Sequence, residues 1–533
     1  MPSPSYSSSS NTVALSGNTT IDALLGGTKW GAGVAGWGVS LTYSFPWTTS
    51  NTAYFLGHGG SVDYSETMEH WATYNFGLDS TEQTAAKAAL QAWANVADIK
   101  FSQVQDTQYS VGDIRIAWTS AGGDDSWGWA YYPDSSGYYP SSGDIWISTS
   151  TLEDSTSWAA GEYNYQALMH EIGHALGLKH SFEDSPVLPA SLDNRLYTIM
   201  SYTDPVKDTY PSAGDVNGSY GWISYYISPE TPMVLDIAAI QYLYGANMNY
   251  KTGNDTYTFD PADPFFMTIW DAGGTDTISA VNFSQPCEID LRPGQYSSLR
   301  YAPPKDTGGV TVTYDGTDNL GIAYDCFIEN AIGGSGKDVL TGNSLNNALT
   351  GGGGNDTLDG DTGIDTAIYS GASSAYKVSS KGSSLSVDNI VGNDGTDTLS
   401  NVERLYFSAD KVSMALDEHG KEAMGIIGTL ASGAMGNLAL RGTIISLLDS
   451  GLSLTGLSQS LVDQHIVSAL VGKSDAASLA AYVHQNVLGV PASSSMLNTL
   501  TSYINAHGQA DFIATVAGLS LNVPEATGYL FTA

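Results

Sequence analysis

Residues 167–181 read A-L-M-H-E-I-G-H-A-L-G-L-K-H-S, and this segment holds three of the nine histidines of the 533-residue chain. His170 and His174 are four residues apart, so a helix here places both imidazoles on one face, one turn apart. Zinc accepts two nitrogen ligands in that arrangement. The segment therefore predicts a metal site on a helix that spans about residues 163–176.

The same segment supplies a base and a third ligand. Glu171 follows the first histidine, beside the predicted metal, where its carboxylate can accept a proton from a bound water. Gly177 can adopt the positive φ that ends a helix sharply, so that the chain turns back and brings His180 to the metal. Three histidines leave one coordination position open, which is typical of a catalytic zinc rather than a structural one.

The short pattern H-E-x-x-H also arises by chance, as two surface histidines on an ordinary amphipathic helix. Its extension to H-E-x-x-H-x-x-G-x-x-H fixes five positions and favours the metal. Residues 197–203 read Y-T-I-M-S-Y-T, in which Met200 is predicted to lie beneath the metal as an apolar floor. Tyr202 can then reach the zinc or stabilise the oxyanion of a tetrahedral intermediate.

The chain before this segment predicts an α/β half. Leu41–Pro46, Asp113–Trp118 and Asp144–Ser148 have the character of strands. A helix begins near Ser80, whose side chain forms a capping box with that of Gln83. Strands, a helix, further strands and a second helix in this order indicate an α/β domain. The last of these strands, as G-D-I-W-I-S, is the predicted edge strand for an extended substrate.

From about residue 253 the composition changes to glycine, aspartate, asparagine and threonine. Residues 333–368 form four consecutive nonapeptides, GGSGKDVLT, GNSLNNALT, GGGGNDTLD and GDTGIDTAI, which follow the repeat G-G-x-G-x-D-x-U-x, where U is a large apolar residue. Such turns hold calcium, while the apolar residues point inward in a parallel β-roll. The alternative, a flexible Gly/Asp linker, has no nine-residue register. The predicted calcium residues are Gly333, Gly336, Asp338, Asn347, Gly351, Gly353, Asp356, Asp365, Gly273 and Asp276.

The repeat predicts which residues meet across two turns. Asp338 pairs with Asp356, and Asn347 pairs with Asp365. Carboxylates at this density repel one another without an ion, so folding of the region is expected to depend on calcium. Asparagine at position 347, in place of the aspartate of the repeat, predicts a weaker calcium site at that turn.

Charge and cysteine content exclude several classes of protein. The chain has 19 Lys and Arg against 55 Asp and Glu, which argues against a nucleic acid or an anionic membrane as partner. Its first residues show no Sec-type signal peptide. Two cysteines exclude a disulfide-rich scaffold, and Cys287 and Cys326 form either one disulfide or two buried free thiols.

Together these motifs resemble the serralysin-type metzincins, RTX-containing zinc metalloproteases that bacteria secrete. The resemblance covers about residues 21–407 and includes G-T-K-W, L-T-Y-S-F-P, H-E-I-G-H-A-L-G-L-K-H, I-M-S-Y, L-D-I-A-A-I-Q-Y-L-Y-G-A-N and the nonapeptides. It implies that His170, His174 and His180 are zinc ligands and that Glu171 is the general base. It also implies that Tyr202 ligates zinc at rest and swings toward the oxyanion during turnover. Calcium in the Gly/Asp region and export by a type I system are further implications.

The expected fold class is therefore multidomain. A flexible leader or propeptide, 1–20, precedes an α/β metzincin protease domain, 21–250. An RTX calcium-binding β-roll or β-sandwich, 251–415, and an all-α C-terminal domain, 416–533, follow. For this last domain, roles in secretion, anchoring or binding remain open.

We expect a secreted monomer that hydrolyses protein or peptide substrates with one catalytic Zn²⁺ and several structural Ca²⁺. Its expected partners include the type I secretion machinery but no nucleic acid, and the tail can attach it to a cell surface. The alternative is a surface-associated calcium-binding or adhesion protein whose protease domain is highly selective or inactive. A calcium-dependent polysaccharide-modifying enzyme would share the nonapeptides but would not explain the histidines. The complete set of ligands and base favours the enzyme.

Overall fold

A computed structural model of the chain divides into two compact units, Met1–Ile328 and Glu329–Ala533. The expected boundary after residue 250 lies inside the first unit, and the one after residue 415 lies inside the second. The described residues are 9–48, 54–55, 64–65, 67–107, 109–122, 126–134, 140–152, 157–216, 219–305, 307–381, 384–521, 523–524 and 527–532.

Part of the expected leader forms secondary structure within the first unit. Residues 1–8 lie outside the described residues. Ser10–Thr12 is a strand that pairs antiparallel with Thr28–Trp30, and a short helix spans Thr19–Asp22.

The first unit is built on a mixed sheet. From one edge to the other its order is Ile99–Gln103, Val39–Ser44, Ile114–Thr119, Asp144–Ser148 and Gly128–Ala130. The first four strands are parallel, and Gly128–Ala130 runs antiparallel to its neighbour. The strand Asp144–Ser148 is thus paired on both sides, so the prediction that it is an edge strand is wrong. The edge on that side is Gly128–Ala130, because the loop between the two inner strands folds back and pairs.

Besides the short helix Thr19–Asp22, the described part of the first unit contains the longer helices Ser80–Val96, Tyr163–Ala175 and Val234–Tyr244. The N-cap of the first of these longer helices lies one residue before the predicted Ser80. Asp79, not Ser80, accepts hydrogen bonds at the N-terminus, and Glu82, not Gln83, completes the capping box. An aspartate carboxylate accepts from two backbone N–H groups at once, which explains why it takes the cap position.

The remaining strands of the first unit are short. A hairpin joins Thr209–Val216 to Ser219–Tyr226, Thr256–Thr258 pairs with Thr277–Ser279, and Met267–Ile269, Leu320–Ile322 and Tyr296–Ser297 form a small sheet. The other short elements are Asn75–Gly77, Glu288–Asp290 and the 3₁₀ turns Glu69–Trp71 and Thr149–Thr151. Both cysteines are buried, and they form no disulfide.

The nonapeptides of the second unit form short parallel strands on alternate sides. One set is Asn330–Ile332, Ala348–Thr350, Thr366–Tyr369 and Arg404–Phe407, and the other is Val339–Thr341, Thr357–Asp359 and Thr396–Ser400. The hairpin Tyr376–Lys381 and Ser384–Asn389 extends the second set. The apolar position of each repeat is buried, as the repeat predicts: Leu340, Leu349, Leu358 and Ala367 are at most 1% exposed.

The tail is helical except at its end. Its helices are Glu418–Leu430, Leu438–Asp449, Leu454–Asp463, Ile466–Val471, Ala476–Leu488, Ser494–His507 and Gln509–Leu519. The last segment, Tyr529–Phe531, departs from the all-α expectation and pairs antiparallel with the strand Val412–Ala415. This pairing satisfies the backbone groups of a strand that the preceding sheet leaves at its edge. Among the described residues, no helix combines the length and apolar character needed to cross a membrane.

Candidate active site

Three histidines converge in the first unit. The Nε2 atoms of His170 and His174 are 3.1 Å apart, and His180 Nε2 lies 3.2 Å from the first and 3.1 Å from the second. Nitrogen ligands at their usual distance from a tetrahedral zinc are about 3.3 Å apart. The spacing of the three nitrogens therefore fits one zinc ion.

Hydrogen bonds and burial prepare these imidazoles to bind a metal. His170 Nδ1 lies 2.7 Å from the carbonyl of Ile199, and His174 Nδ1 lies 2.7 Å from that of Leu178. Both bonds require Nδ1–H and leave the Nε2 lone pairs free for a metal. Burial lowers the pKa of His170 well below its ordinary value and that of His174 to about 3. Both imidazoles are thus neutral, which is the form that binds a metal.

Glu171 and Tyr202 both lie beside this cluster and line one cavity with His170. The Glu171 side chain is 7% exposed, and its Oε2 has no hydrogen-bond partner among the described residues. Burial raises its pKa to about 8. The ring of Tyr202, 60% exposed, lies 4.6 Å from that of His180 between centroids. Burial of its hydroxyl, then the charge of Glu171, raises the pKa of Tyr202 to about 12.

Met200 packs directly under the active-site helix. It is fully buried, and a Cβ on Gly173 would lie 2.8 Å from its Sδ. The glycine between the two helical histidines therefore makes room for this methionine. The position agrees with a role as apolar floor.

A glycine ends the active-site helix and directs the chain toward the third histidine. Gly177 has φ +105°, and a Cβ there would lie 2.3 Å from the carbonyl oxygen of Thr28. After it, Lys179 Nζ donates to the carbonyls of Asp184 (2.8 Å) and Pro186 (3.0 Å). The loop that carries His180 is held by these bonds.

A cavity of about 200 Å³ opens beside the histidines. The active-site helix lines it with Tyr163, Gln166, Ala167, His170 and Glu171. The other lining residues are Ser126, Trp127, Gly128, Arg195 and Tyr202. The cavity thus joins the histidine site to the start of the edge strand Gly128–Ala130.

Asp236, for which the sequence predicted no role, holds the residue whose carbonyl contacts His170. It is fully buried and accepts hydrogen bonds from Thr198 Oγ1 (2.6 Å), Ile199 N (2.8 Å) and Met233 N (2.8 Å). Burial raises its pKa to about 6. Asp236 belongs to the motif L-D-I-A-A-I quoted above, but no local pattern relates it to residues almost forty positions earlier.

The predicted calcium residues of the nonapeptides lie close together in the second unit. Asp356 Oδ1 accepts from the backbone N–H of Asp338 at 2.8 Å, and Asp365 Oδ1 accepts from that of Asn347 at 2.7 Å. Asp356 and Asp365 each keep a buried Oδ2 with no hydrogen-bond partner among the described residues. Burial, followed by neighbouring carboxylates, raises the pKa of each to about 7. A bound cation would satisfy these oxygens.

The glycines of the repeats allow the turns to approach. A Cβ on Gly333 or Gly351 would meet a carboxylate oxygen of Asp338 (2.6 Å) or Asp356 (2.4 Å), respectively. Gly353 donates from its backbone to the carbonyl of Gly334, and the carbonyl of Gly336 lies where Gly354 would carry a Cβ.

At the second repeat an amide replaces the aspartate. Asn347 Nδ2 donates to the carbonyl of Glu329 at 3.0 Å and to Asn343 Oδ1 at 3.2 Å. Its side chain thus supplies hydrogen bonds of its own at this turn.

A further group of carboxylates lies in the first unit. Asp276, one of the predicted calcium residues, clusters with Asp255 and Asp271, which the sequence analysis missed. Asp276 Oδ1 accepts from the backbone N–H of Asp255 at 2.7 Å, and Gly273 N donates to Asp271 at 3.0 Å. The sequence does contain a signal for Asp255, because residues 253–256 read G-N-D-T and resemble the G-G-T-D-T fragment.

Two protein-family models match the chain. A model described as matrixin matches residues 69–198, and one described as peptidase M10 serralysin C terminal matches residues 235–428. The first match contains the helical histidines, and the second contains the nonapeptides.

Named relatives include a serralysin of Proteus mirabilis, which is 31% identical over 334 residues, covering 56% of this chain and 63% of the relative. Serralysin B of Dickeya chrysanthemi is 34% identical over 342 residues, 59% of this chain and 61% of the relative. Metallopeptidase AprA of Pseudomonas marginalis is 31% identical over 332 residues, 58% of this chain and 61% of the relative. The chain thus spans less than two thirds of the length of these relatives.

Proposed function

We propose, from the premise that this chain belongs to the serralysin-type metalloproteases, that it is a secreted, calcium-dependent zinc endopeptidase. The observation that carries the proposal is the convergence of three imidazole nitrogens at 3.1–3.2 Å beside the buried carboxylate of Glu171. The family implies zinc, and the donors fit it.

The proposed chemistry assigns one role to each residue. His170, His174 and His180 would hold the zinc, and Tyr202 would be a further ligand in the resting protein. Zinc bound there would lower the pKa of a water ligand toward about 7 and polarise the scissile carbonyl. The charge of a bound zinc would favour the ionised form of Glu171, which would accept the proton of the attacking water and pass it to the leaving amine, while the Tyr202 hydroxyl would donate to the oxyanion. Peptide hydrolysis then proceeds without a covalent intermediate.

The substrate is proposed to lie along the edge strand Gly128–Ala130. An extended peptide can pair with the free backbone groups of an edge. Gly128 lines the same cavity as Glu171 and Tyr202, which supports this assignment over the inner strand Asp144–Ser148.

Calcium is proposed to bind at two places. In the second unit the ligands are the residues around Asp338 and Asp356 and those around Asn347 and Asp365, in a parallel β-roll. In the first unit they are Asp255, Asp271 and Asp276. The unpartnered buried oxygens of Asp356 and Asp365 support the assignment. Export by a type I system and association of the helical tail with a cell surface remain part of the proposal.

The test is hydrolysis of casein by the purified protein in calcium. Glu171→Ala, and a zinc-chelated sample at constant calcium, are both expected to lose activity, whereas Glu288→Ala, a change at an exposed carboxylate of the same unit, is expected to retain it. A folded, zinc-loaded wild type without activity on any protein substrate would contradict the enzyme and favour the adhesion alternative.

A further inference from the structure

The cavity beside the histidines contains a buried polar group that the proposed chemistry does not use. Gln166 lies one turn before His170 on the face of the helix that lines this cavity. Its side chain is 1% exposed, and its Oε1 has no hydrogen-bond partner among the described residues. A buried carbonyl without a donor is destabilising, because it has lost its hydrogen bonds to water. A ligand that brings a donor into the cavity would recover this energy.

Arg195 lines the same cavity, and its guanidinium carries N–H donors. Its guanidinium forms an ion pair with Asp204, and its Nε donates to the carbonyl of Ser201 at 3.3 Å. The guanidinium carbon also lies 5.7 Å from the centre of the Tyr163 ring. These contacts hold the group in place and use two of its five N–H donors. Arg195 is close enough to act electrostatically on both His170 and Tyr202.

We propose that this cavity selects a substrate side chain that ends in a carboxamide, glutamine or asparagine, next to the scissile bond. The substrate NH₂ group donates to Gln166 Oε1, and its carbonyl accepts from Arg195. A carboxylate brings no donor to Gln166, whereas an apolar side chain leaves Gln166 Oε1 unpaired and gives the remaining N–H groups of Arg195 no acceptor. The inference rests on the proposed peptidase function and names its substrate preference.

The test uses peptides that differ only in one residue beside the cleaved bond, on either side of it: Gln, Glu or Met. For the wild type we expect kcat/KM of the Gln peptide to exceed those of the Glu and Met peptides by about tenfold or more at one of the two positions. In Gln166→Met the Gln-to-Met ratio is expected to fall to about one. The control Gln241→Met, which removes a glutamine bonded to the Val96 carbonyl instead, is expected to keep the wild-type ratio.

Equal rates for the three peptides in the wild type would overturn the inference, as would a preference that survives Gln166→Met. A merely structural role of Gln166 would lower all three rates in proportion and leave the ratio unchanged, which also overturns it. A wild type that cleaves none of the peptides contradicts the proposed function instead. In that case, calorimetric binding of the same peptides to Glu171→Ala tests the specificity of the cavity. Tighter binding of the Gln peptide that is lost when Gln166→Met is added would support the inference. Equal binding of the three peptides would overturn it.

Discussion

The carboxylate of Asp236 accepts a hydrogen bond from the backbone N–H of Ile199 at 2.8 Å. The carbonyl of the same Ile199 lies 2.7 Å from His170 Nδ1, so a side chain on another helix orients this histidine through the backbone of one residue. Asp236 accepts from three donors, and a carboxylate is the side chain that can do so without presenting a donor of its own.

Asp236→Asn is expected to lower zinc affinity by about 10–100-fold, because the new NH₂ group faces donors and displaces the segment that holds His170. Competition with a chromophoric chelator measures the affinity. Asp260→Asn, a change at an exposed turn in the same unit, should leave it unchanged. Wild-type affinity in Asp236→Asn would show that the carboxylate does not orient the ligand.

Gly177→Ala is expected to destabilise the first unit by about 2 kcal/mol or more, because positive φ and a clash with Thr28 act together. Gly27→Ala is the matched control, since Gly27 also has positive φ (+87°) but no atom within 4 Å of the added Cβ. It should cost only about 1 kcal/mol. Denaturant unfolding measures both. Equal costs would mean that the Thr28 contact adds nothing to the backbone strain.

The stability of the first unit is expected to depend on pH through Glu230. Burial, and then the charge of Asp263, raises its pKa to about 7 from an ordinary 4.5. The folded state therefore favours the protonated acid, and this contribution to stability is full below pH 4.5 and lost as pH rises through 7.

Glu230→Gln should remove this loss. The unfolding free energy of the variant minus that of the wild type is expected to increase by about 2 kcal/mol from pH 5 to pH 8.5. Denaturant midpoints at both pH values, in saturating calcium, give the comparison. A difference between variant and wild type that stays constant with pH would contradict the assignment.

Calcium removal is expected to destabilise the second unit, and Asp356→Asn should weaken its response to calcium. Loss of one carboxylate oxygen from the proposed site is expected to raise the calcium concentration at half-maximal stabilisation by about tenfold. Thermal melts over a calcium titration measure it. Asp388→Asn, which alters an exposed hydrogen bond to Thr396, should behave as wild type. An unaltered titration of Asp356→Asn would remove it from the calcium site.

Gly442→Ala is expected to release the C-terminal strand. Gly442 lies inside the helix Leu438–Asp449, where alanine is ordinarily favoured over glycine by about 1 kcal/mol. Here, however, the added Cβ would lie 1.9 Å from the carbonyl oxygen of Thr532. Faster hydrogen exchange at Tyr529–Phe531 is therefore expected. Gly518→Ala, with only Leu454 at 3.8 Å, should be neutral or stabilising. Unchanged exchange in Gly442→Ala would show that the strand tolerates the shift.

Sequence patterns with a short period were sufficient to predict several elements of secondary structure. The helix predicted over residues 163–176 spans Tyr163–Ala175, and Gly177 has the positive φ that its position suggested. The capping box at Asp79 shows the limit of such patterns, because two neighbouring residues can each form it. The burial of Gln166, and with it the proposed specificity of the cavity, has no signature in the sequence.

Local sequence patterns were enough to predict that the two helical histidines share one helix face and that the strands follow a nine-residue register. Both follow from backbone geometry over a few residues, which is the same wherever the segment folds. Three contacts could be seen only in the folded chain: Gly128–Ala130 forms the edge strand, Asp236 holds Ile199, and Tyr529–Phe531 pairs with Val412–Ala415. These contacts join segments from about fifteen to more than one hundred residues apart. Their selection depends on packing and on which backbone groups remain unpaired after the rest of the chain has folded.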